Sequence, residues 1–274
     1  MTQPEDRAYP FPHSTEDVMR ADIQPDTEQT CSSSYRLAFT DRDFLLREEL
    51  RPVRLQLELL KPQMLMDEAG IESTVVMFGG ARIPAPANAA SARTPTLSRL
   101  SHYYDEARLF ARLMTERSML SDGHEFVICT GGGPGVMEAG NMGASDAGGK
   151  SIGLGIVLPH EEAPNRYVSP DLCFNFHYFA IRKMHFLMRA RAIVVFPGGF
   201  GTLDELFETL TLIQTGRMDR LPMLLFGREF WDGIINWQAL AAAGTISDED
   251  LDLFHYVETA DEAVQIIDSW PKPT

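Results

Sequence analysis

The stretch FPGGFGTLDE, residues 196–205, combines the residue types that chemistry on a bound anion would need. An apolar run meets three glycines there, and a helical pattern with two acids follows. A glycine turn that opens a helix offers free backbone N–H groups at the positive end of the helix dipole, and such groups bind phosphate. Thr202 and Glu205 allow a second interpretation, because their spacing also fits a capping box with Thr202 as the N-cap and Glu205 at position N3.

The periodicity of the helix after this turn favours a ligand site over a simple cap. Its apolar residues are spaced to form one buried stripe, made of Leu203, Leu206, Phe207, Leu210 and Ile213. Glu205 and Glu208 lie off that stripe, on a face that can look into a cleft. We therefore expect Glu205 to lie beside a ligand.

Two further glycine turns end apolar runs in the same way, FGGAR at residues 78–82 and TGGGPGVME at residues 130–138. Ligands bind beyond the carboxyl ends of the strands in an open parallel sheet, so three such turns at one edge predict a phosphate site. Neither TGGGPG nor PGGFGT completes a GxGxxG fingerprint, and no GxxxxGK[ST] occurs. The sequence therefore disfavours a nucleoside triphosphatase.

The segments around these turns alternate between strand and helix from about residue 74 onwards. Such alternation predicts the α/β class, here a Rossmann-like, doubly wound, mainly parallel sheet with helices on both faces. We expect residues 71–274 to form this nucleotide-binding catalytic domain. Its last helix opens with Thr259 and Glu262 at capping-box spacing.

The first 70 residues differ in composition from the rest of the chain. Residues 1–38 are rich in Pro, Ser, Thr and acids, which predicts a disordered segment. Residues 39–70 follow a helical pattern that Pro52 and Pro62 interrupt and Gly70 ends, which predicts an N-terminal helical arm. The arm carries no recognisable chemistry, so packing or oligomer contact is its expected role.

The net charge and the cysteines limit which binding partners and which metal or disulfide sites can be expected. A net charge of -15 repels nucleic acid and anionic membrane, so we expect neither as a partner. The three cysteines fit neither a disulfide framework nor a zinc site, and Cys129 and Cys173 are expected to be buried thiols. No signal peptide and no membrane-spanning run is apparent, which predicts a cytoplasmic protein.

At FPGGFGTLDELFE the chain resembles the LOG ("Lonely Guy") family, which was long mislabelled as lysine decarboxylases. The family motif PGGxGTxxE is matched by residues 197–205, the motif GGGxGxME by residues 131–138, and an upstream Arg-Lys pair by Arg182 and Lys183. The resemblance covers residues 74 to about 235. It implies hydrolysis of the N-glycosidic bond of a nucleoside 5′-monophosphate, which yields the free base and ribose 5-phosphate and needs no metal or organic cofactor.

The resemblance also assigns roles to residues. The family's catalytic pair falls on Arg182 and Glu205. Arg182 is expected to act in positioning, by pairing with Glu205 or with oxygen atoms of the ligand. Glu205 is expected to stabilise an oxocarbenium-like state and to orient or deprotonate water. Glu138, Phe179 and Lys183 are expected beside the base and ribose. The expected ligands of the 5′-phosphate are Gly132, Gly133, Gly135, Gly198, Gly199, Gly201 and Thr202.

One departure from the family pattern bears on the substrate. Phe179 and Ala180 replace a Met-His pair of the plant-like members, so AMP or another purine nucleotide stands beside cytokinin riboside 5′-monophosphate as the expected substrate. A non-catalytic nucleotide sensor that binds through the same loops is the alternative function. A decarboxylase is disfavoured, because only Lys183 lies near the motifs to form a Schiff base.

The resemblance implies a homodimer or a larger homo-oligomer. The segment HYFAIRKMHFLM, residues 177–188, supports it because its apolar side chains surround nearly the whole helix. The alternative is that the arm, residues 43–69, covers the second face within the same chain. His177 and His185 are interpreted as polar packing residues, since no carboxylate completes a metal pattern with them.

Overall fold

The chain is divided into two compact units, Met1–Leu57 and Glu58–Thr274. The structure is a computed structural model that describes residues 11–159 and 163–271. The first ten residues of the predicted disordered segment lie outside the described residues. In the first unit, α1 (Ser14–Asp22) buries none of its side chains, and α2 (Arg42–Leu45) is capped by the carboxylate of Asp41.

Helix α3 runs from Arg51 to Glu68 and contains Pro62, so the predicted interruption at Pro62 is wrong. Proline has no amide hydrogen, and Pro62 therefore cannot donate to the carbonyl oxygen of Glu58, four residues earlier. The Nε2 atom of His185 lies 3.2 Å from that oxygen and replaces the missing donor. Gly70, with φ +72°, follows the end of the helix as predicted.

In the described residues of the second unit, seven strands form one parallel sheet in the order β4-β3-β2-β1-β5-β6-β7. The order reverses direction at β1, which pairs with β2 on one side and β5 on the other. The strands are β1 (Thr74–Phe78), β2 (Val127–Thr130), β3 (Ser151–Ile156), β4 (Cys173–Phe176), β5 (Ala190–Val195), β6 (Met223–Phe226) and β7 (His255–Val257).

Helices cover both faces of this sheet. The remaining α-helices are α4 (Pro95–Arg99), α5 (His102–Ser118), α6 (Val136–Asp146), α7 (Phe179–Met188), α8 (Phe200–Gln214), α9 (Arg228–Ile234), α10 (Trp237–Ala242) and α11 (Ala260–Ser269). Short 3₁₀ helices occupy Ser33–Tyr35, Glu48–Leu50, Pro86–Ser91, Met119–Ser121, Pro170–Leu172 and Asp248–Leu253.

Alternation along the strands builds two apolar layers. In β1, Val75 and Met77 pack with α5, α6 and α11, whereas Val76 and Phe78 pack with α7, α8 and α9. Side chains of a strand point alternately to its two faces, and a parallel sheet buries both faces. The predicted doubly wound α/β fold is therefore confirmed, although the sequence pattern did not reveal β7.

Several local predictions are also settled. Thr259 caps α11 in a capping box with Glu262, as predicted. Cys129 is buried, whereas Cys173 is only half-buried because it begins the edge strand β4. Within the described part of the chain, no helix is both long and apolar enough to cross a bilayer.

Candidate active site

The three glycine turns follow three neighbouring strands, β2, β1 and β5, and backbone hydrogen bonds join them. The amide of Gly80 donates to the carbonyl oxygen of Pro197 (2.9 Å), and the amide of Val136 donates to the carbonyl oxygen of Gly80 (3.3 Å). The predicted convergence of the turns at one sheet edge is thereby confirmed. This edge lies where the strand order reverses, which is where open α/β sheets bind ligands.

Close approach of these turns requires glycine at two positions. Gly135 has φ +68°, and a β-carbon there would lie 2.5 Å from the carbonyl oxygen of Gly80. A β-carbon on Gly198 would collide with the hydroxyl of Thr202. The Gly135 collision is with backbone of the turn after β1, so a larger residue there would separate the two turns. The Gly198 collision extends to the β-carbon of Thr202 (2.6 Å), so a larger residue there would distort the start of α8.

Helix α8 begins earlier than the capping-box interpretation requires. Its N-cap is Gly199, and no side chain caps it. Thr202 is therefore the third residue of the helix and Glu205 the sixth, so the interpretation of Thr202 as N-cap with Glu205 at N3 is wrong. Glycines at the start let the chain enter the helix without a side-chain cap and leave its first amide groups open to a ligand.

Glu205 is buried, with only 6% of its surface exposed. Burial raises the pKa of its carboxyl group to about 7, against the opposing effect of the positive charges of Arg182 and Lys183. The negative charges of Glu208 and Asp204 add to the rise. A carboxyl group in this environment exchanges its proton near neutral pH, as a general acid or base must.

The buried face of α8 is partly polar. Thr202, Glu205 and Thr209 are buried alongside Leu206 and Ile213. Phe207, which the periodicity placed in the buried stripe, is 39% exposed. Its predicted burial is wrong, and so is the prediction that Glu205 lies off the buried stripe, because the buried face of α8 includes polar residues near the glycine turn.

Arg182 extends from α7 to Leu154 of β3 and to the turn after β2. Its Nε atom donates to the carbonyl oxygen of Leu154 (2.7 Å), and its guanidinium lies 5.0 Å from the ring centre of Phe186. A β-carbon on Gly131 would lie 2.8 Å from its Nη2 atom, so the guanidinium lies against the turn after β2. Arg182 thus connects α7, a glycine turn and the electrostatic environment of Glu205.

Lys183, the next residue, is held by two acids of α8. Its Nζ atom lies 3.0 Å from the Oδ2 atom of Asp204 and 3.0 Å from the Oε2 atom of Glu208. Desolvation alone would lower the pKa of Lys183, but the hydrogen bonds to Asp204 and Glu208 and the negative charges of Glu208 and Glu205 together raise it. The ion pairs fasten α7, which carries Arg182, to α8, which carries Glu205.

The other residues expected beside the base and ribose lie in two places. Glu138 is in the first turn of α6, and its Oε2 atom accepts a hydrogen bond from the hydroxyl of Tyr104 (3.4 Å). Desolvation, followed by the charge of Glu138, raises the pKa of Tyr104 to about 12. Phe179 begins α7 and is 53% exposed.

Sequence reasoning missed partners that come from distant segments. Tyr104 lies 34 residues before Glu138, and Glu58 lies about 120 residues before the start of α7, whose N-terminal end it closes. No sequence pattern connects residues so far apart. The pairing of Asp204 and Glu208 with one cation could have been predicted from the sequence, because residues at i and i+4 lie on the same side of a helix.

The two histidines interpreted as packing residues differ in burial: His185 of α7 is buried, whereas His177 before the helix is exposed. His185 is buried, and desolvation lowers its pKa, so the interpretation as a packing residue is confirmed. Among the residues that the structure describes, no three His, Cys, Asp or Glu side chains converge as a metal site would require.

Comparison with known proteins tests the resemblance to the LOG family. The sequence profile of a family described as "Possible lysine decarboxylase" matches residues 137–267. A cytokinin riboside 5′-monophosphate phosphoribohydrolase of Mycobacterium marinum is 34% identical over 85 residues, which are 31% of this chain and 46% of that protein. The resemblance to the LOG family is confirmed.

A second relative of this LOG-like chain is the pyrimidine/purine nucleotide 5′-monophosphate nucleosidase of Escherichia coli. It is 35% identical over 118 residues, 38% of this chain and 24% of that protein, so the chain matches less than half the length of either relative. Among solved structures, the molybdenum cofactor binding protein of Rippkaea orientalis aligns with a TM-score of 0.47 at 17% identity, over 72% of this chain and 96% of that chain.

Proposed function

We propose that this LOG-like protein hydrolyses the N-glycosidic bond of a nucleoside 5′-monophosphate, AMP or a cytokinin riboside 5′-monophosphate, to a free base and ribose 5-phosphate. The observation that carries the proposal is the state of Glu205. It is a buried carboxyl group whose burial raises its pKa to about 7, and it lies one turn beyond a glycine-opened helix terminus.

The glycine turns supply the expected phosphate site. Within the described residues, nothing accepts a hydrogen bond from the amides of Gly133 or Gly135. The first amides of α8, from Phe200 to Thr202, likewise point out of the hydrogen-bonded part of their helix. In this proposal the amides at the two helix N-termini and the hydroxyl of Thr202 donate to the phosphate, which as a dianion suits such donors.

Glu205 performs the chemical step in this proposal. As the bond between C1′ and the base nitrogen breaks, positive charge spreads over C1′ and the ring oxygen, and an ionised Glu205 stabilises it. Water then bonds to C1′, and Glu205 takes the proton that the water loses. The base leaves with the bonding electron pair and takes up a proton from solvent, and Glu205 returns to solvent the proton that it took from water, which restores the ionised carboxylate.

Arg182 keeps its charge at any working pH, so it serves as a fixed cation and not as a proton carrier. The positive charge of Arg182 lowers the pKa of the Glu205 carboxyl group, against the increase that burial causes, and so helps to keep this pKa near neutrality. Without this cation the pKa of the carboxyl group would be higher, so a smaller fraction of it would be ionised and able to accept a proton from water. We assign Arg182 to positioning and charge balance.

We infer that the active form is a homo-oligomer. Met184 and Met188 lie one turn apart on α7 and are 48% and 49% exposed, and Phe179 at its start is also exposed. The same-chain alternative accounts for another face, since Glu58 of α3 contacts His185. It leaves the two methionines uncovered, and a second subunit would bury them.

The proposal is tested by measuring free base released from a panel of purine and pyrimidine nucleoside 5′-monophosphates, with cytokinin nucleotides included. Release of base with ribose 5-phosphate in equal amount is the expected result, and the panel gives the base preference. Tight binding of AMP without release of adenine would support the nucleotide-sensor alternative.

A further inference from the structure

A buried set of polar side chains holds the turn after β2, and none of them belongs to the residues discussed above. They are Thr130, Asn141, Ser151 and Asn165, which we call the asparagine cluster. Asn141 is completely buried at its centre. Its side chain accepts from Thr130 (2.8 Å) and Asn165 (2.9 Å) and donates to Ser151 (3.0 Å).

Thr130 and Asn165 of the cluster form hydrogen bonds with both peptide groups of Gly132. The amide of Gly132 donates to the hydroxyl of Thr130 (2.9 Å), and its carbonyl oxygen accepts from the backbone amide (2.7 Å) and the side chain (3.0 Å) of Asn165. The side chain of Asn165 also donates to the carbonyl oxygen of Gly133 (3.0 Å). Gly132 has φ +74°, a left-handed conformation in which these bonds hold the chain.

Carbonyl oxygens that are engaged in this way cannot turn toward a bound anion. Peptide groups are planar, so fixing the carbonyl of Gly132 also fixes the amide of Gly133 on the opposite side of the same peptide bond. In the described part of the chain that amide has no acceptor. The cluster therefore holds an amide donor of the turn available for a ligand.

We propose that Asn165 is a positioning residue for the 5′-phosphate, which it serves by orienting the peptide groups of Gly132 and Gly133. It reaches this turn from the segment between β3 and β4, across 33 residues of sequence. The proposal rests on the function proposed above, and it specifies that the residue acts on the phosphate and not on the base or on the chemical step.

The test separates phosphate recognition from general loosening of the fold. Binding of ribose 5-phosphate and of adenine is measured by calorimetry on the full chain, for wild type, Asn165→Ala and Asn165→Asp. Misplaced donors lower the affinity for ribose 5-phosphate by roughly tenfold in Asn165→Ala. The loss is larger in Asn165→Asp, where a carboxylate would face two carbonyl oxygens. Affinity for adenine stays within about twofold.

Two further variants sharpen the comparison. Thr130→Val keeps the shape but removes the acceptor for the amide of Gly132, and it should reproduce the selective loss. Asn88→Ala removes an exposed asparagine outside the cluster and serves as the matched control. Circular dichroism and a thermal melt establish that each variant is folded.

The proposal is overturned if Asn165→Ala binds ribose 5-phosphate within twofold of wild type, or if it loses ribose 5-phosphate and adenine to the same extent. A wild-type protein that binds ribose 5-phosphate yet releases no base would defeat the proposed hydrolysis and leave this inference standing. A wild-type protein that binds neither compound would defeat both.

Discussion

The carboxylate of Glu58 closes the N-terminal end of the helix that carries Arg182: it accepts hydrogen bonds from the amides of His177 (2.8 Å) and Tyr178 (3.1 Å). The negative charge of Glu58 also interacts favourably with the positive, N-terminal end of the dipole of α7. The carbonyl oxygen of the same residue binds His185. Glu58 thus anchors two sides of α7.

Removal of this anchor should destabilise the protein. Glu58→Ala leaves two amides without their acceptor, and we expect the free energy of unfolding to fall by about 1–2 kcal/mol, as for the loss of a helix cap. Urea unfolding measures the change. Glu68→Ala, an exposed acid on the same helix, is the control and should change the free energy by less than about 0.5 kcal/mol.

The sequence predicted the parts of this fold that depend on local pattern. Strands β1, β2 and β5 are apolar runs that end in glycines, and both features are local, so their positions and their common edge could be predicted. β7 was missed because it has only three residues and one of them, His255, is exposed. A strand this short has too few residues for a periodic signal.

Partnerships between distant segments could not be predicted. The spacing of Thr202 and Glu205 equals that of Thr259 and Glu262, yet only the second pair is a capping box. The difference is the glycine turn before α8, which begins the helix earlier. Pro62 stays within a helix because His185, far along the chain, binds the carbonyl oxygen that proline leaves free.

Replacement of Glu205 tests its role as the catalytic carboxylate. Glu205→Gln keeps the shape of the side chain but cannot take a proton from water or carry negative charge. We expect it to bind AMP and to lose turnover by ~100-fold or more. Near-normal turnover in the folded variant would contradict the assignment.

The same variant has a stability signature that checks the environment of Glu205. Folding raises the pKa of this carboxyl from 4.5 to about 7, so the neutral form is favoured in the folded protein. The stability that this provides is present below pH 4.5 and is lost as the pH rises through 7. Glu205→Gln should therefore be the more stable protein at pH 8, by at most about 3 kcal/mol, and should match wild type near pH 4.5.

Activity should follow the ionisation of Glu205. Below a pKa of about 7 the carboxyl group is protonated, and kcat/KM should fall about tenfold per pH unit. Lys183→Met removes a positive charge that lowers this pKa, so the rising limb of its profile should move to higher pH. Lys183→Arg retains the charge and should keep the limb near its wild-type position. An unmoved limb in Lys183→Met would show that another group titrates.

The 5′-phosphate should be required for efficient turnover. Binding energy from the glycine turns positions the sugar beside Glu205, and adenosine lacks that energy. We expect kcat/KM for adenosine to be lower than for AMP by about 4 kcal/mol, a factor of about a thousand. Thr202→Val should reduce kcat/KM for AMP and leave the slow reaction of adenosine unchanged. Comparable rates on adenosine and AMP would disprove a phosphate-dependent site.

The exposed methionines of α7 should form a contact between subunits. Light scattering on the full chain should give at least twice the 30.6 kDa of one chain. A charge buried in an apolar contact is strongly unfavourable, so the double variant Met184→Glu, Met188→Glu should dissociate. Because α7 also carries Arg182, turnover should fall together with the mass. Leu120→Glu changes a residue that is 88% exposed outside α7, and its mass and activity should stay those of wild type. A wild-type chain that is monomeric and fully active at assay concentration would leave the methionines without a subunit to cover them and would refute the oligomer.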